Sequence, residues 1–313
     1  VGCNFIPSTS INQLEMWQAE TFDAQTIDRE LGLAASIGMN TVRTYLHALL
    51  WEDADSFSSR LDGFLEVAAR HGIRPLLVIF DDCWNPDPRL GTQPEPRPGI
   101  HNSGWLQSPG LEIVNAGPSG WGRLETYVTE LLTRFADDER ILMWDLYNEP
   151  GNNGNNEKSL PLLEAVFAWA RSVEVSQPIT AAVWRPEDSV NEFILDSSDV
   201  ITFHHYETPE GLRETIAALR AHDRPLVCSE WMARTRGSLV ETNLPVFKEE
   251  NVGCINWGLV DGKTQTKYAW DDPRPNREPD PWFHELFHAD HTPYRKDEVA
   301  LFRRLAGRGA VAT

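Results

Sequence analysis

The alternation of short apolar segments with amphipathic segments constrains the fold of this chain more than any other feature of its sequence. Eight segments have the apolar character of buried strands, and they cover or begin at 2–6, 40–46, 73–80, 141–147, 179–183, 200–204, 225–228 and 252–259. Nearly all are followed by segments with helical periodicity, at 25–37, 60–71, 121–135, 159–175, 209–222, 239–250 and 297–305. Repeated βα units predict a parallel sheet. The pattern therefore fits an α/β fold, a single (β/α)8 TIM barrel over residues 1–313.

A doubly wound open sheet has the same local pattern, so periodicity alone leaves it open. No glycine-rich fingerprint follows the first strand, which removes the best reason to prefer a dinucleotide-binding fold. The length would also allow two domains, but barrels of this size routinely form one.

Two long segments interrupt the alternation. Residues 81–120 contain seven prolines and six glycines, and residues 261–295 have a similar character. Both follow predicted strands, the third and the eighth, so both would lie at the C-terminal face of a barrel, where active sites are found. Their tryptophans and tyrosines argue against disordered linkers, which are poor in aromatic residues.

Two strand candidates end in a glutamate. The segment WDLYNEP ends its strand at Glu149, and PLVCSEW ends its strand at Glu230. In the strand count these are strands 4 and 7, whose ends can face each other across a barrel mouth. Two carboxylates about 5–5.5 Å apart are the geometry of a retaining glycosidase. Strand-end position alone also fits an ordinary loop carboxylate.

Charge and composition restrict the partners. Lys and Arg number 28 against 47 Asp and Glu, a formal charge of −19, which disfavours nucleic acid and anionic membrane surfaces. No apolar run is long enough for a membrane span. Twelve tryptophans offer flat faces for stacking on sugar rings. Core packing accounts for most of these tryptophans, and where they bind a ligand the charge favours a neutral sugar over a nucleic-acid base.

The sequence Asn148-Glu149-Pro150 on strand 4, with Glu230 on strand 7, resembles clan A glycoside hydrolases and in particular family 5, the cellulase and mannanase family. The resemblance covers nearly the whole chain. It implies Glu149 as the acid/base and Glu230 as the nucleophile. Further positions of the family pattern fall on Arg43, His204, Tyr206 and Trp257.

The resemblance also suggests a role for each of these positions. Arg43 is always charged and would keep the nucleophile ionised. Asn148 would donate to the sugar 2-hydroxyl, and Tyr206 would donate to the nucleophile.

Two matching positions remain on strands 6 and 8. His204 would orient the acid/base, although His205 beside it leaves that choice open. Trp257 would form the floor under the reacting sugar.

The chain departs from the family pattern after strand 3, where many members have a histidine and this chain has FDDCW. We expect Asp81 or Trp84 to take over that part of the pocket, and His101 or Asn102 to fold in from the long loop. Trp84 and His101 are the expected contacts to the non-reducing sugar. Trp231 and Trp257 are the expected lining of the aglycone side.

The segments GCNFIPSTSINQLEMWQ, FDDCWNPDP and WDLYNEPGN resemble subfamily 18 of family 5. This resemblance implies a retaining exo-β-mannosidase that acts on a small neutral oligosaccharide without cofactor or metal. It would release mannose from β-1,4-mannosyl-N-acetylglucosamine, the core disaccharide of N-glycans. Long loops that wall off one end of a cleft also favour exo attack. An endo-β-1,4-glycanase of the xylanase, cellulase or mannanase type is the alternative within the family.

Other classes stay open. A barrel could bind sugar without cleaving it, or could use a metal held by Asp81, Asp82, His204 and His205. The four cysteines match no zinc spacing, and we expect buried free thiols. The chain opens with Val-Gly-Cys-Asn without a secretion-signal pattern, and a cytoplasmic location is the default expectation, not a deduction from this segment.

Overall fold

Nine parallel strands form one sheet in the computed structural model, which describes residues 1–185, 189–274 and 277–306. The strands are β1 (Gly2–Asn4), β2 (Thr41–Tyr45), β3 (Leu76–Asp81), β4 (Met143–Asn148), β5 (Ile179–Thr180), β6 (Ala182–Val183), β7 (Ile201–His204), β8 (Leu226–Trp231) and β9 (Gly253–Trp257). Their order in the sheet is β5-β4-β3-β2-β1-β9-β8-β7-β6.

The sheet closes through a strand that is split in two. One residue, Ala181, separates β5 from β6; β5 pairs with β4, and β6 pairs with β7. The two ends of the sheet are therefore halves of one barrel position, the single predicted strand at 179–183. With β1 paired to both β2 and β9, the eight positions complete a (β/α)8 barrel. This confirms the predicted barrel and excludes the open doubly wound sheet.

Helices surround the barrel. They are α1 (Gln13–Trp17), α2 (Ala24–Ser36), α3 (Ala54–Arg70), α4 (Leu111–Ala116), α5 (Gly122–Arg134), α6 (Leu160–Arg171), α7 (Ser189–Ser197), α8 (Pro209–Leu219), α9 (Val240–Glu249) and α10 (Lys296–Ala306). The sequence did not predict α1, α4 or α7; α1 and α4 have only five and six residues, too few for a helical stripe. In the described ranges, no helix has the length and apolar character to cross a membrane.

Alternate strand residues divide the core into two regions. Leu77 and Ile79 of β3 belong to the large cluster that includes the helices. Leu76 and Val78, on the opposite face of the same strand, belong to a smaller cluster with residues of other strands. This is the packing of a barrel filled by side chains, because successive residues of a strand face opposite sides of the sheet.

The segments after β3 and β9 are joined to each other above the strand ends. The Asn102 backbone N–H donates to the Thr264 carbonyl at 2.8 Å, and Nδ1 of His101 lies 2.8 Å from the Tyr268 carbonyl. The Gly99 N–H donates to the Gln265 side chain at 2.9 Å. The two segments therefore form one wall, which we call the joined loops (82–110 with 258–274 and 277–295). The first is shorter than the predicted 81–120 because α4 begins at Leu111.

A buried ion pair anchors the second of the joined loops. The Arg234 guanidinium contacts Glu298 of α10 at 2.6 Å, and both side chains are almost fully buried. The same guanidinium donates to the carbonyls of His284 and Glu285 at 2.6 and 2.8 Å. Because its buried charge and N–H groups are partnered, this arginine fixes the loop to the barrel without an unpaired charge.

Candidate active site

A cavity of about 540 Å³ lies at the C-terminal ends of the strands. Nine of the twelve predicted site residues line it: Trp84, His101, Asn102, Asn148, Glu149, His204, Tyr206, Glu230 and Trp257. Strand register brings these residues together, since His204 pairs with Glu230 between β7 and β8.

The two predicted catalytic glutamates face each other in this cavity. One carboxylate oxygen of Glu149 and one of Glu230 lie within 4.8 Å of each other. An inverting glycosidase holds its carboxyl groups about 6.5–9.5 Å apart to leave room for a water, whereas a retaining enzyme holds them about 5–5.5 Å apart. The limit of 4.8 Å between the two oxygens fits the shorter of these two separations.

Glu230 is held at both oxygens. Oε1 accepts from Nη1 of Arg43 at 2.8 Å and from the Tyr45 hydroxyl at 3.0 Å. Oε2 accepts from the Tyr206 hydroxyl at 2.7 Å. Burial, with the negative charge of Glu230, raises the pKa of Tyr206, so this phenol remains a donor. Three donors, one of them a permanent cation, compensate the charge of a carboxylate at this position.

Arg43 lies beneath the cavity and does not line it. Its guanidinium is fully buried and also contacts Asp145 at 2.8 Å and Oδ1 of Asn148 at 2.7 Å. Nη1 donates to Oδ1 of Asn4 at 2.9 Å. Arg43 therefore acts on substrate only through Glu230 and Asn148.

Glu149 lies in a different environment. Its Oε1 is 2.7 Å from Nδ1 of His204, and its Oε2 accepts from the thiol of Cys83 at 3.2 Å and from the side-chain amide of Asn152. Burial raises the pKa of Glu149, which favours the protonated acid. Its backbone has a φ of 44°, a left-handed conformation held by the turn that follows β4.

His204, and not His205, is the histidine beside Glu149. Nδ1 of His204 also lies 3.4 Å from Oε2 of Glu230, so this ring stands between the two carboxyl groups. Burial lowers the pKa of His204 to about 4, and the imidazole is therefore neutral. The His205 ring contacts the Thr208 carbonyl and the Thr215 hydroxyl instead, although His205 also lines the cavity.

Two predicted substrate contacts are wrong. Trp231 is fully buried and packs against Phe247 of α9 and Phe302 of α10, so it cannot line the aglycone side. Successive side chains of a strand point to opposite faces of the sheet. Because Glu230 faces the barrel mouth, the next residue faces the helices. Asp81 is 1% exposed and accepts from Asn148 and from the Trp105 indole, at 2.9 and 2.8 Å, behind the cavity wall.

Sequence reasoning missed several residues of the site. Cys83, predicted to be an ordinary buried thiol, lines the cavity beside Glu149. Tyr45 donates to Glu230, and its place two residues after Arg43 on β2 was a signal that it shares the same face. The cavity is completed by Trp105, Asn152, Asn153, Trp184, Glu207, Arg236, Trp270 and His284.

The metal-dependent alternative needs Asp81, Asp82, His204 and His205 to converge. Among the described residues, the one group with metal-like spacing is Glu149, His204 and Glu230, in which His204 lies at hydrogen-bonding distance from each glutamate. Asp82 is instead occupied by the Gly151 backbone N–H and the Tyr147 hydroxyl, at 2.7 and 2.8 Å. The predicted metal-ligand set is not assembled.

The barrel and its paired glutamates define a glycoside hydrolase active site. The sequence model described as cellulase (glycosyl hydrolase family 5) matches residues 6–263, and the chain belongs to that family.

A curated relative and several solved structures are similar to this chain. The probable mannan endo-1,4-β-mannosidase C of Aspergillus terreus (strain NIH 2624 / FGSC A1156) is 23% identical over 67% of this chain, which spans 66% of the length of that relative. A family 5, subfamily 18 variant from Streptomyces cattleya, in complex with Manβ1-4GlcNAc, has a TM-score of 0.65 at 13% identity and covers 100% of this chain and 81% of its own.

Two further structures extend the comparison. The exo-β-1,4-mannosidase from Opitutaceae bacterium strain TAV5 has a TM-score of 0.64 at 18% identity, covering 97% of this chain and 58% of its own. The endo-1,4-β-mannanase from Rhizomucor miehei has a TM-score of 0.61 at 13% identity, covering 98% and 97%. At these identities the structures share the fold with this chain.

Proposed function

We propose that the protein is a retaining exo-β-mannosidase that releases mannose from β-1,4-mannosyl-N-acetylglucosamine, the core disaccharide of N-glycans. The observation that carries this proposal is the position of the joined loops, which stand over one side of the cavity that holds the two glutamates. A cavity closed on one side accepts the end of a chain, whereas an endo-acting enzyme needs a cleft open at both ends.

The two carboxyl groups divide the chemistry. In the first step Glu230 attacks the anomeric carbon, while Glu149 gives its proton to the leaving oxygen, and a glycosyl-enzyme forms. In the second step Glu149, now ionised, takes a proton from water, which attacks the same carbon and releases Glu230. The raised pKa of Glu149 suits a group that gives its proton to the leaving oxygen. The three donors around Glu230 suit the carboxylate that attacks the anomeric carbon.

The joined loops supply the surfaces for one sugar. His101, Asn102 and Trp105 come from the first loop, and Trp270 and His284 come from the second. The rings of Trp84 and His101 lie 5.4 Å apart, next to this group. Aromatic faces with a few buried polar groups are what a neutral sugar ring requires. The complex of the Streptomyces cattleya structure with Manβ1-4GlcNAc supports the choice of substrate.

A direct comparison of substrates tests the proposal. The enzyme should release mannose from β-1,4-mannosyl-N-acetylglucosamine faster than it produces new reducing ends in mannan, xylan or cellulose. It should also retain full activity in the presence of a chelator. The Glu230→Ala variant is the control for contaminating activity. A rapid fall in mannan viscosity with little mannose released would instead identify an endo-mannanase, the activity named for the Aspergillus terreus relative.

A further inference from the structure

Residues Asp81 to Trp84, the last residue of β3 and the three that follow it, are tied residue by residue to the end of β4 and the turn that carries Glu149. Asp81 accepts from the side chain of Asn148 at 2.9 Å, and Asp82 accepts from the backbone N–H of Gly151 at 2.7 Å. The carbonyl of Trp84 accepts from the side chain of Asn153, also at 2.7 Å. Cys83 is the member of this segment whose side chain contacts the Glu149 carboxyl itself.

Several polar side chains surround the Cys83 sulfur. Sγ accepts from Nδ2 of Asn148 at 3.4 Å and from Nδ2 of Asn152 at 3.3 Å. The S–H donates to Oε2 of Glu149 at 3.2 Å, and the Asp81 carboxyl, which accepts from the Cys83 backbone N–H, is a second partner of the thiol. Burial raises the pKa of the Cys83 thiol, so it keeps the hydrogen that it donates.

We propose that Cys83 is a positioning residue for the acid/base, and that its weak S–H donor sets how readily Glu149 gives up its proton. A thiol is a weaker donor than a hydroxyl. A stronger donor at this place would stabilise the Glu149 anion and deprotonate the acid at lower pH, whereas no donor would have the opposite effect. This inference rests on the proposed role of Glu149.

Other charged and titratable groups also face Glu149, and the test must hold them constant. They come from β2, β3, β7, the segment after β7, and β8, and they are Arg43, Asp81, His204, Tyr206 and Glu230. Substitutions confined to Cys83 leave all of them in place.

The experiment compares Cys83→Ser and Cys83→Ala with the unchanged enzyme. The readout is kcat/KM against pH on β-1,4-mannosyl-N-acetylglucosamine, because its N-acetylglucosamine leaving group must be protonated as it departs. We expect the alkaline limb to move to lower pH in Cys83→Ser and to higher pH in Cys83→Ala, each by about 0.5–1 pH unit. Cys254→Ser, a change of the same type at a buried thiol on β9, should leave the limb in place.

Two outcomes overturn the inference. One is an alkaline limb that coincides with that of the unchanged enzyme in both Cys83 variants. The other is a limb that moves in the same direction in both, which would mean that the sulfur only fills space. Glu149→Gln separates this result from a failure of the proposed function: if that variant keeps an alkaline limb, Glu149 is not the acid, whatever the Cys83 variants show.

Discussion

The hydrogen bond from Tyr206 to the nucleophile should matter most when the glycosyl-enzyme breaks down. The phenol donates to Oε2 of Glu230 at 2.7 Å and so stabilises the carboxylate anion. That anion is the leaving group of the second step. Tyr206→Phe removes the donor and makes Glu230 a poorer leaving group, so deglycosylation should slow more than glycosylation.

The size of the effect follows from the type of bond. A hydrogen bond to a charged group contributes about 1.5–3 kcal/mol. If most of this is recovered in the transition state, kcat falls by about 10- to 150-fold, since each 1.36 kcal/mol is a factor of ten. In Tyr206→Phe, Oε2 of Glu230 still has Nδ1 of His204 at 3.4 Å, so we expect the loss of kcat to be nearer to about 10-fold than to about 150-fold.

The assay uses an activated p-nitrophenyl β-mannoside, whose good leaving group speeds glycosylation relative to deglycosylation. In Tyr206→Phe, kcat and KM should fall together, kcat/KM should change less, and a burst of p-nitrophenol should become visible. Tyr127→Phe is the matched control, because the Tyr127 hydroxyl is buried and has no hydrogen-bond partner among the described residues. A loss of kcat/KM at constant KM, with no burst, would refute the reasoning, since the bond would then act in the first step.

Four further predictions test the same site and the stability of its surroundings. Proton NMR of the first-formed sugar should show the β-anomer before mutarotation; an initial α-anomer would contradict double displacement. Glu149→Ala should be far more active on the activated aryl glycoside than on the disaccharide, and azide should raise its turnover; equal losses without an azide response would reverse the roles. Substituting Glu149 by Gln should flatten the alkaline limb of kcat/KM on the aryl glycoside. Burial raises the pKa of Glu285 to about 8, above its unfolded value, so its contribution to stability falls as pH rises from about 4 to 8. Glu285→Gln should therefore raise the melting temperature more at pH 8 than at pH 5. An equal change at both pH values would disprove this prediction.

The barrel was predictable because parallel strands covered on both faces have continuous apolar sequences. The segment IRPLLVIF, for example, contains β3 almost entirely. The split between β5 and β6 was not predictable, since one residue, Ala181, interrupts a run that is otherwise uniform. α7 was missed, although it has nine residues and buries Val190 and Ile194.

Within the site, positions at strand ends were easier to predict than positions in loops. Glu149 and Glu230 follow from the place where an apolar run stops. Trp231 was misassigned because its aromatic character was given more weight than its position one residue after Glu230. The role of Cys83 depends on a contact 66 residues away in sequence, which no local pattern records.

The joined loops also have a consequence for the order in which products depart. Their backbone and side-chain hydrogen bonds, such as Asn102 to Thr264, make one wall on one side of the cavity, and in the proposed exo mode the aglycone lies on the other side. The sugar held against that wall then has no second exit, so the aglycone must leave before it. The monosaccharide is the last product to go, and it occupies the same place as the incoming substrate. Accumulated monosaccharide should therefore inhibit competitively, and the enzyme slows as its own product builds up.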